Sequence, residues 1–196
     1  MDLSKRKILW LDTETTGLDC SANFAHQISY ILTDGPENVI VERNLKMIPD
    51  DLEKFVIEDK ALEVSGLKRE DILGYQKESE QLPILLNDLN TAIKDGSRLC
   101  FAAYNALFDI GFIAKALERS AAREKASYDW GTFFDSSYDV LLKVRQLRRD
   151  HKLDLENCRQ PTVAAYFGIE GDFHDALVDI RTCREIYLRL RKEGMI

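Results

Sequence analysis

Residues 7–19 read KILWLDTETTGLD: four apolar residues, Ile8 to Leu11, closed by an acid at Asp12. An unbroken apolar run of that length, ending in turn-forming residues, reads as a strand buried on both faces. Strand residues two apart share a face, so Asp12 and Glu14 would project into one cleft. Two carboxylates on one side repel unless a cation lies between them or one takes a proton. Thr15-Thr16-Gly17 then forms a turn whose backbone N–H groups suit a phosphate or a sugar hydroxyl. A solvated strand end is the plain alternative for D-x-E taken alone.

The rest of the chain supplies partners for this strand. Gln27–Thr33 and Asn38–Leu45 read as two more strands, joined through the turn residues TDGPEN as a hairpin. Pro49-Asp50-Asp51 opens a charged helical stretch toward Val64, stopped by Ser65-Gly66. Apolar residues at 82, 85, 86, 89 and 93 have helical spacing, and Leu99–Ala103 is a short apolar strand. Phe108–Leu117 reads as a helix followed by a polar Ala/Arg/Lys segment. Thr132–Ser136 is a last strand before a helix from Tyr138 to Arg149. Leu153–Gly168 reads as two short helices interrupted at Pro161, and His174–Arg191 as a final helix. Strands first, then alternating helices and strands, predict an α/β fold with a mixed sheet and helices on its faces. With no repeat, linker or low-complexity tract, residues 1–196 read as one domain.

Composition narrows the class. The chain of 196 residues is 45% hydrophobic and 31% charged, and only 14 residues are Gly or Pro, which excludes collagen-like and wholly disordered chains. No apolar run approaches the roughly 18 residues of a membrane span, and acids cut short the N-terminal apolar stretch that a signal peptide would need. Cys20, Cys100, Cys158 and Cys183 are far apart, so neither a zinc site nor a disulfide framework is expected, and a cytoplasmic location is. A net charge of −7 argues against a broad surface for duplex DNA. It does not argue against an acidic site that holds metal ions.

Two further acids stand out. Asp109 lies among Leu107, Phe108, Ile110 and Phe112, where a carboxylate must be paired, must cap a helix or must meet a metal. In His174-Asp175-Ala176-Leu177-Val178-Asp179, His174 and Asp179 are about 140° apart on an ideal helix. They converge only if His174 precedes the helix or sits in its first turn. On spacing, Asp175 is the better helical neighbour of Asp179, and the residues alone do not choose between the two acids. An HD-type phosphohydrolase would need more histidine ligands than His26 and His151 can supply.

LDTETTGLD (11–19), YNALFDIGFI (104–113) and HDALVDIRT (174–182) together resemble the motifs D-x-E-T-T-G-L, H-N-A-x-F-D-x-x-F and H-x-A-x-x-D. They are those of the DEDDh (DnaQ-like) 3′→5′ exonucleases, which include proofreading subunits of bacterial replicative polymerases, RNase T and oligoribonuclease. Weaker echoes fall in order at HQIS (26–29), VSGLKREDI (64–72), YDVLLKVRQL (138–147) and LDLENCRQPTVAAYFGI (153–169).

The resemblance implies a ribonuclease H-like fold with a mixed five-stranded sheet. Asp12, Glu14, Asp109 and Asp179 would bind two Mg²⁺ or Mn²⁺ ions, and His174 would be the general base. Two metals suit an in-line phosphoryl displacement, with nucleoside 5′-monophosphates leaving one at a time from the 3′ end. The expected substrate is a single-stranded or frayed end, DNA before RNA, in repair or replication.

Thr13, Thr15, Thr16, Gly17 and Leu18 would hold the terminal sugar and base, with Asn105, Phe108 and Phe112 lining the pocket, although an aromatic at helical spacing such as Phe112 more often belongs to the core. Tyr104 departs from the usual His and bears on substrate contacts rather than on catalysis. Lys143, Arg145, Arg148, Arg149 and Lys152 are basic, the last four on one helix face, which reads either as a steering surface or as a solvated face. The resemblance admits a polymerase or other protein partner and a homodimer. A catalytically silent nucleic-acid or partner-binding module is the alternative reading, and the presence of all four acids and the histidine counts against it.

Overall fold

The computed structural model describes residues 1–171, 173 and 175–196. Its central strand, β1 (Lys7–Thr15), sends alternate side chains to two different cores. Leu9 and Leu11 enter one; Ile8 and Trp10 enter the other. Burial on both faces is why this strand reads as an unbroken apolar run rather than an alternation. The buried Trp10 indole donates to Thr33 Oγ1 at 3.1 Å, so its one polar group is satisfied.

β2 (Ala25–Asp34) and β3 (Asn38–Ile48) form the expected hairpin, antiparallel to β1 and to each other. A 3₁₀ turn at Leu52–Lys54 and helices α1 (Asp59–Ser65) and α2 (Arg69–Leu73) follow, with Gly66 closing α1 at φ 67°. The charged stretch after Pro49 is therefore not one helix. β4 (Gln76–Lys77) pairs in parallel with Met47 and Ile48 and leads into α3 (Glu78–Ala92). β5 (Leu99–Ala103), α4 (Ala106–Glu124), α5 (Trp130–Phe133), β6 (Phe134–Asp139), α6 (Val140–Arg149), α7 (Gln160–Tyr166) and α8 (Ala176–Lys192) complete the order. Among the described residues the sheet runs β4-β3-β2-β1-β5-β6, with β5 parallel to β1 and to β6.

The mixed sheet is the expected one plus β4, whose two residues are too few for any periodicity to reveal. α4 extends to Glu124, seven residues beyond the apolar stripe, because Ala, Arg and Glu are strong helix formers. Pro161 does not break a helix. It begins α7, where its missing N–H has no intrahelical partner to lose, and the two short helices expected over 153–168 reduce to this one.

α3 and α4 cover one face of the sheet, through Leu82, Leu85, Leu89, Phe112, Ile113 and Leu117. α6, α7 and α8 cover the other, through Val144, Leu147, Val163, Ile180, Ile186 and Leu190. Among the described residues no helix is long and apolar enough to cross a membrane.

Where β1 and β2 shift register, Glu14 faces Gln27 and Thr15 faces Ala25, so His26 bulges without a partner across the strand. His26 is 1% exposed and its Nδ1 lacks a hydrogen-bond partner. Burial, and then the Lys46 charge, hold its pKa down to about 4. The unfolded chain therefore takes this proton first, and the contribution of His26 to stability, level above about pH 6.5, falls by about 1.4 kcal/mol per unit toward pH 4. Urea unfolding of wild type and His26→Phe at pH 7.5 and pH 5 checks this: the variant is expected to lose about one proton's worth of the acid slope.

Candidate active site

The parity of β1 explains the site. Continuing the alternation, Asp12 and Glu14 lie on the α8 face of the sheet and Thr13 on the α4 face. α8 supplies Asp179 from its first turn. Carboxylate oxygens of Asp12, Glu14 and Asp179 lie within 4.8 Å of one another, close enough for one cation to bridge them. Asp109, in the first turn of α4, approaches from the other face and is buried. Its Oδ1 accepts from Thr13 N at 3.0 Å and from Thr13 Oγ1 at 2.8 Å. It neighbours Asp12 without joining the three-carboxylate cluster.

The charges are costly as they stand. Burial, and then Asp109, Asp179 and Glu14, push the Asp12 carboxyl well above the usual range. Burial, and then Asp179 and Asp175, push Glu14 up to about 7. Burial also raises Asp109, against the opposing hydrogen bonds of Thr13. A set of acids held near each other at such a penalty fits a divalent cation, whose charge removes the repulsion.

The structure separates the two acids that the sequence left open. Asp175 is the N-cap of α8: Oδ1 accepts from Leu177 N at 3.0 Å and Val178 N at 3.3 Å. Oδ2 accepts from Gln27 Nε2 at 3.1 Å. Burial opposes the charge on Asp175, but these donors and Lys46 outweigh it, and its pKa is lowered. Asp175 is thus held as a capping carboxylate, while Asp179 faces the cluster. His174, the expected base, lies outside the described residues.

The T-T-G-L loop is fastened from beneath. Thr16 is fully buried; its N–H donates to Phe24 O, its carbonyl accepts from Glu58 N, and its hydroxyl donates to Val56 O. These bonds hold the loop in place. Phe112 is 3% exposed in the core beneath α4, its ring tilted against that of Phe108 with centroids 5.0 Å apart. Phe108 lines a cavity of about 210 Å³ with Thr13, Glu14, Thr15, Gly17 and Leu18.

The opposite wall of that cavity is α1, through Glu58, Lys60, Ala61 and Val64. Sequence reasoning missed these four, because nothing in a charged helix 40 residues away marks it as a wall. The signal was faint: Val64 is an exposed apolar residue, as is Leu18 facing the same space. Asn23 was missed as well; it donates to Val56 O at 3.0 Å and Thr16 O at 3.3 Å and accepts from Asp19 N at 3.0 Å.

Asn105 is exposed in a left-handed conformation ahead of α4, its N–H directed to Asp139 Oδ1. Asp139 also caps α6, so one carboxylate ties the starts of two helices together. Tyr104 turns away from the cluster and donates to Cys158 O at 2.7 Å.

The fold and site define an α/β domain with a cluster of carboxylates able to hold a cation beside a small pocket. The chain belongs to the exonuclease family of RNase T, whose model matches residues 9–187. The motif resemblance is borne out at the level of the family. No curated protein matches the sequence. Exonuclease I of E. coli in complex with a dT13 oligonucleotide aligns with a TM-score of 0.76 at 20% identity, over 97% of this chain and 42% of that one. Exonuclease I of Methylocaldum szegediense gives 0.76 at 21% identity, over 97% of this chain and 41% of that one. A zinc-bound form of the E. coli enzyme with single-stranded DNA gives 0.76 at 20%, over 97% and 41%. These likenesses are of fold, and the chain spans less than half the length of those proteins.

Proposed function

We propose that this chain is a metal-dependent 3′→5′ exonuclease that removes nucleoside 5′-monophosphates from single-stranded nucleic acid, DNA first. One observation carries the reading: the pocket of Leu18, Phe108 and Val64 opens directly on Glu14 of the carboxylate cluster. A chain end can therefore lodge its last base there with the adjoining phosphate at the acids. Apolar and aromatic walls take any base by its face, whereas the polar edge groups go to solvent or the loop. The E. coli neighbours crystallised with dT13 and with single-stranded DNA support the same substrate class.

Asp12, Glu14 and Asp179 would hold one divalent ion, with Asp109, oriented by Thr13, completing a second. Mg²⁺ or Mn²⁺ there would supply charge neutralisation and an acidified water for in-line displacement at phosphorus. We assign His174 the proton of the attacking water, for which a neutral imidazole is required. Backbone groups of Thr15 and Gly17 and the side chain of Leu18 seat the terminal nucleoside.

The test is release of label from 3′- and 5′-labelled DNA and RNA oligonucleotides with Mg²⁺, Mn²⁺ or EDTA. Metal-dependent mononucleotide release from the 3′ end supports the reading. No release from folded protein under any metal would favour a binding module.

The two acids of α8 give a sharper check. Asp179→Asn is expected to lose turnover, since a neutral amide cannot replace a metal-binding carboxylate. Asp175→Asn is expected to stay within a few-fold of wild type, because Asn caps a helix about as well as Asp. Equal damage from both, measured as kcat on one oligonucleotide, would refute the assignment of Asp179.

A further inference from the structure

From Lys143 to Arg159 the chain carries six Lys and Arg against three acids, within a protein of net charge −7. Elsewhere guanidinium groups are largely matched with carboxylates, as in Arg6–Asp135, Arg43–Asp88, Arg119–Glu78 and Arg181–Glu42. Here they are not. Among the described residues Arg145 makes no hydrogen bond or ion pair, and Arg149 meets only its neighbour Asp150 at 3.9 Å.

These cations share a concavity of about 420 Å³, lined by Arg145, Arg148, Arg149 and His151 with one acid, Asp154, and by Leu153, Leu155 and Cys158. Arg148 is committed to structure, donating from Nε to Leu155 O at 2.8 Å and from Nη2 to Glu156 O at 2.9 Å. It fastens the returning 151–158 segment to α6 and so holds the hollow open. His151 stands at its rim in a left-handed conformation at φ 56°. Arg145 and Arg149 are one helical turn apart on the same face, Arg149 meeting only the long Asp150 contact.

The location matters as much as the charge. Phe108 and the pocket for the chain end lie on the α4 side of the sheet; α6 packs on the other side. The carboxylates sit between, at the end of β1. Cys158 of the groove wall accepts from the hydroxyl of Tyr104 at 2.7 Å, two residues before α4 begins. A strand whose 3′ end fills the first pocket would leave the acids toward this second face.

We infer that the Arg145–Arg149 groove binds the phosphodiester backbone of the single strand on the 5′ side of the bond being cut. The inference rests on the proposed exonuclease reading and adds to it a second subsite, sequence-independent and specific for a polyanion. Its role is to retain substrates long enough to reach it, so a dinucleotide gains nothing from it.

The test is Arg145→Gln/Arg149→Gln, leaving Arg148 in place, with thermal melting to show that the variant folds. Fluorescence anisotropy with a labelled single-stranded 12-mer in EDTA measures binding without cleavage. The expected result is about tenfold weaker binding at low salt, with the slope of log K against log salt reduced by about 1.4, two phosphate contacts' worth. With Mg²⁺, kcat/KM on the 12-mer should fall similarly while that on a dinucleotide stays unchanged. Unchanged affinity and salt slope would overturn the inference. So would unchanged nucleic-acid binding with lost affinity for an oligo-glutamate peptide, which would give the groove to an acidic protein. If wild type cleaves nothing, the exonuclease reading fails, while the EDTA binding still decides the groove.

Discussion

Asp12→Asn is expected to reduce nuclease activity by at least about 10³-fold and, in EDTA, to melt at a higher temperature than wild type. The two effects have one cause. Burial and the fields of Asp109, Asp179 and Glu14 oppose a charge on Asp12 in the metal-free fold. Losing a cation that stabilises the charge developing at phosphorus removes several kcal/mol from the transition state. Removing the ionisable group from the metal-free fold relieves that repulsion and the cost of burying its charge, which is why the variant melts higher.

The pH dependence separates this from a generic stabilisation. Glu14 has a folded-state pKa of about 7 against 4.5 as a free group, so the metal-free fold binds its proton more tightly than the unfolded chain does. Stability is full below about pH 4.5 and is lost as pH rises through 7, by about 3 kcal/mol at most from this group. Mg²⁺ should abolish that loss in wild type and do little in the variant. Differential scanning fluorimetry at pH 5 and pH 8, with and without Mg²⁺, reads all four corners. A wild type that gains nothing from the ion at pH 8 would refute the cation site. The acid sensitivity of His26 runs in the opposite direction and is separated by its own variant.

The second large effect is expected from Gly17→Ala. A Cβ built there would lie 2.3 Å from Glu58 Oε1 and 2.4 Å from both Asn23 Cγ and Nδ2. Glu58 can swing aside at the end of its side chain. Asn23 cannot, because its amide is fastened to Val56 O, Thr16 O and Asp19 N, and it is 1% exposed. The loop must therefore shift, at a cost of about 1–3 kcal/mol in stability. The shift moves Leu18 and the backbone of the chain-end pocket, so KM for an oligonucleotide should rise about tenfold or more. Steady-state kinetics and urea unfolding check both halves. Gly17→Ala/Asn23→Ala should recover less activity than it relieves strain, since it removes the fastening of Thr16. A Gly17→Ala protein with wild-type KM would show that the T-T-G-L loop does not seat the substrate.

The legible part of this protein was legible for local reasons. Ile8–Leu11 announces a doubly buried strand because both faces are covered, and the two-residue period of a strand brings Asp12 and Glu14 to one side wherever that strand lies. The α8 stripe and the turn TDGPEN are likewise short-range patterns. Three ordered motifs then identify the family, since each reports residues that chemistry needs at set spacing.

What packing alone decided is the pairing between elements distant in the chain. Asp175 and Asp179 are equivalent as letters; they differ because Gln27 on β2 and the first N–H groups of α8 claim one of them as a cap. Thr16 and Phe112 carry the composition of a binding site, yet Val56, Phe24 and the core beneath α4 take them inside. Val64 becomes a pocket wall only when α1 folds over the loop. The basic residues of α6 read equally as a solvated face until Arg148 draws the 151–158 segment back to make a groove. A sequence states which groups are available and their local direction; which of them satisfy one another, and which remain to meet a substrate, depends on contacts between segments far apart in the chain.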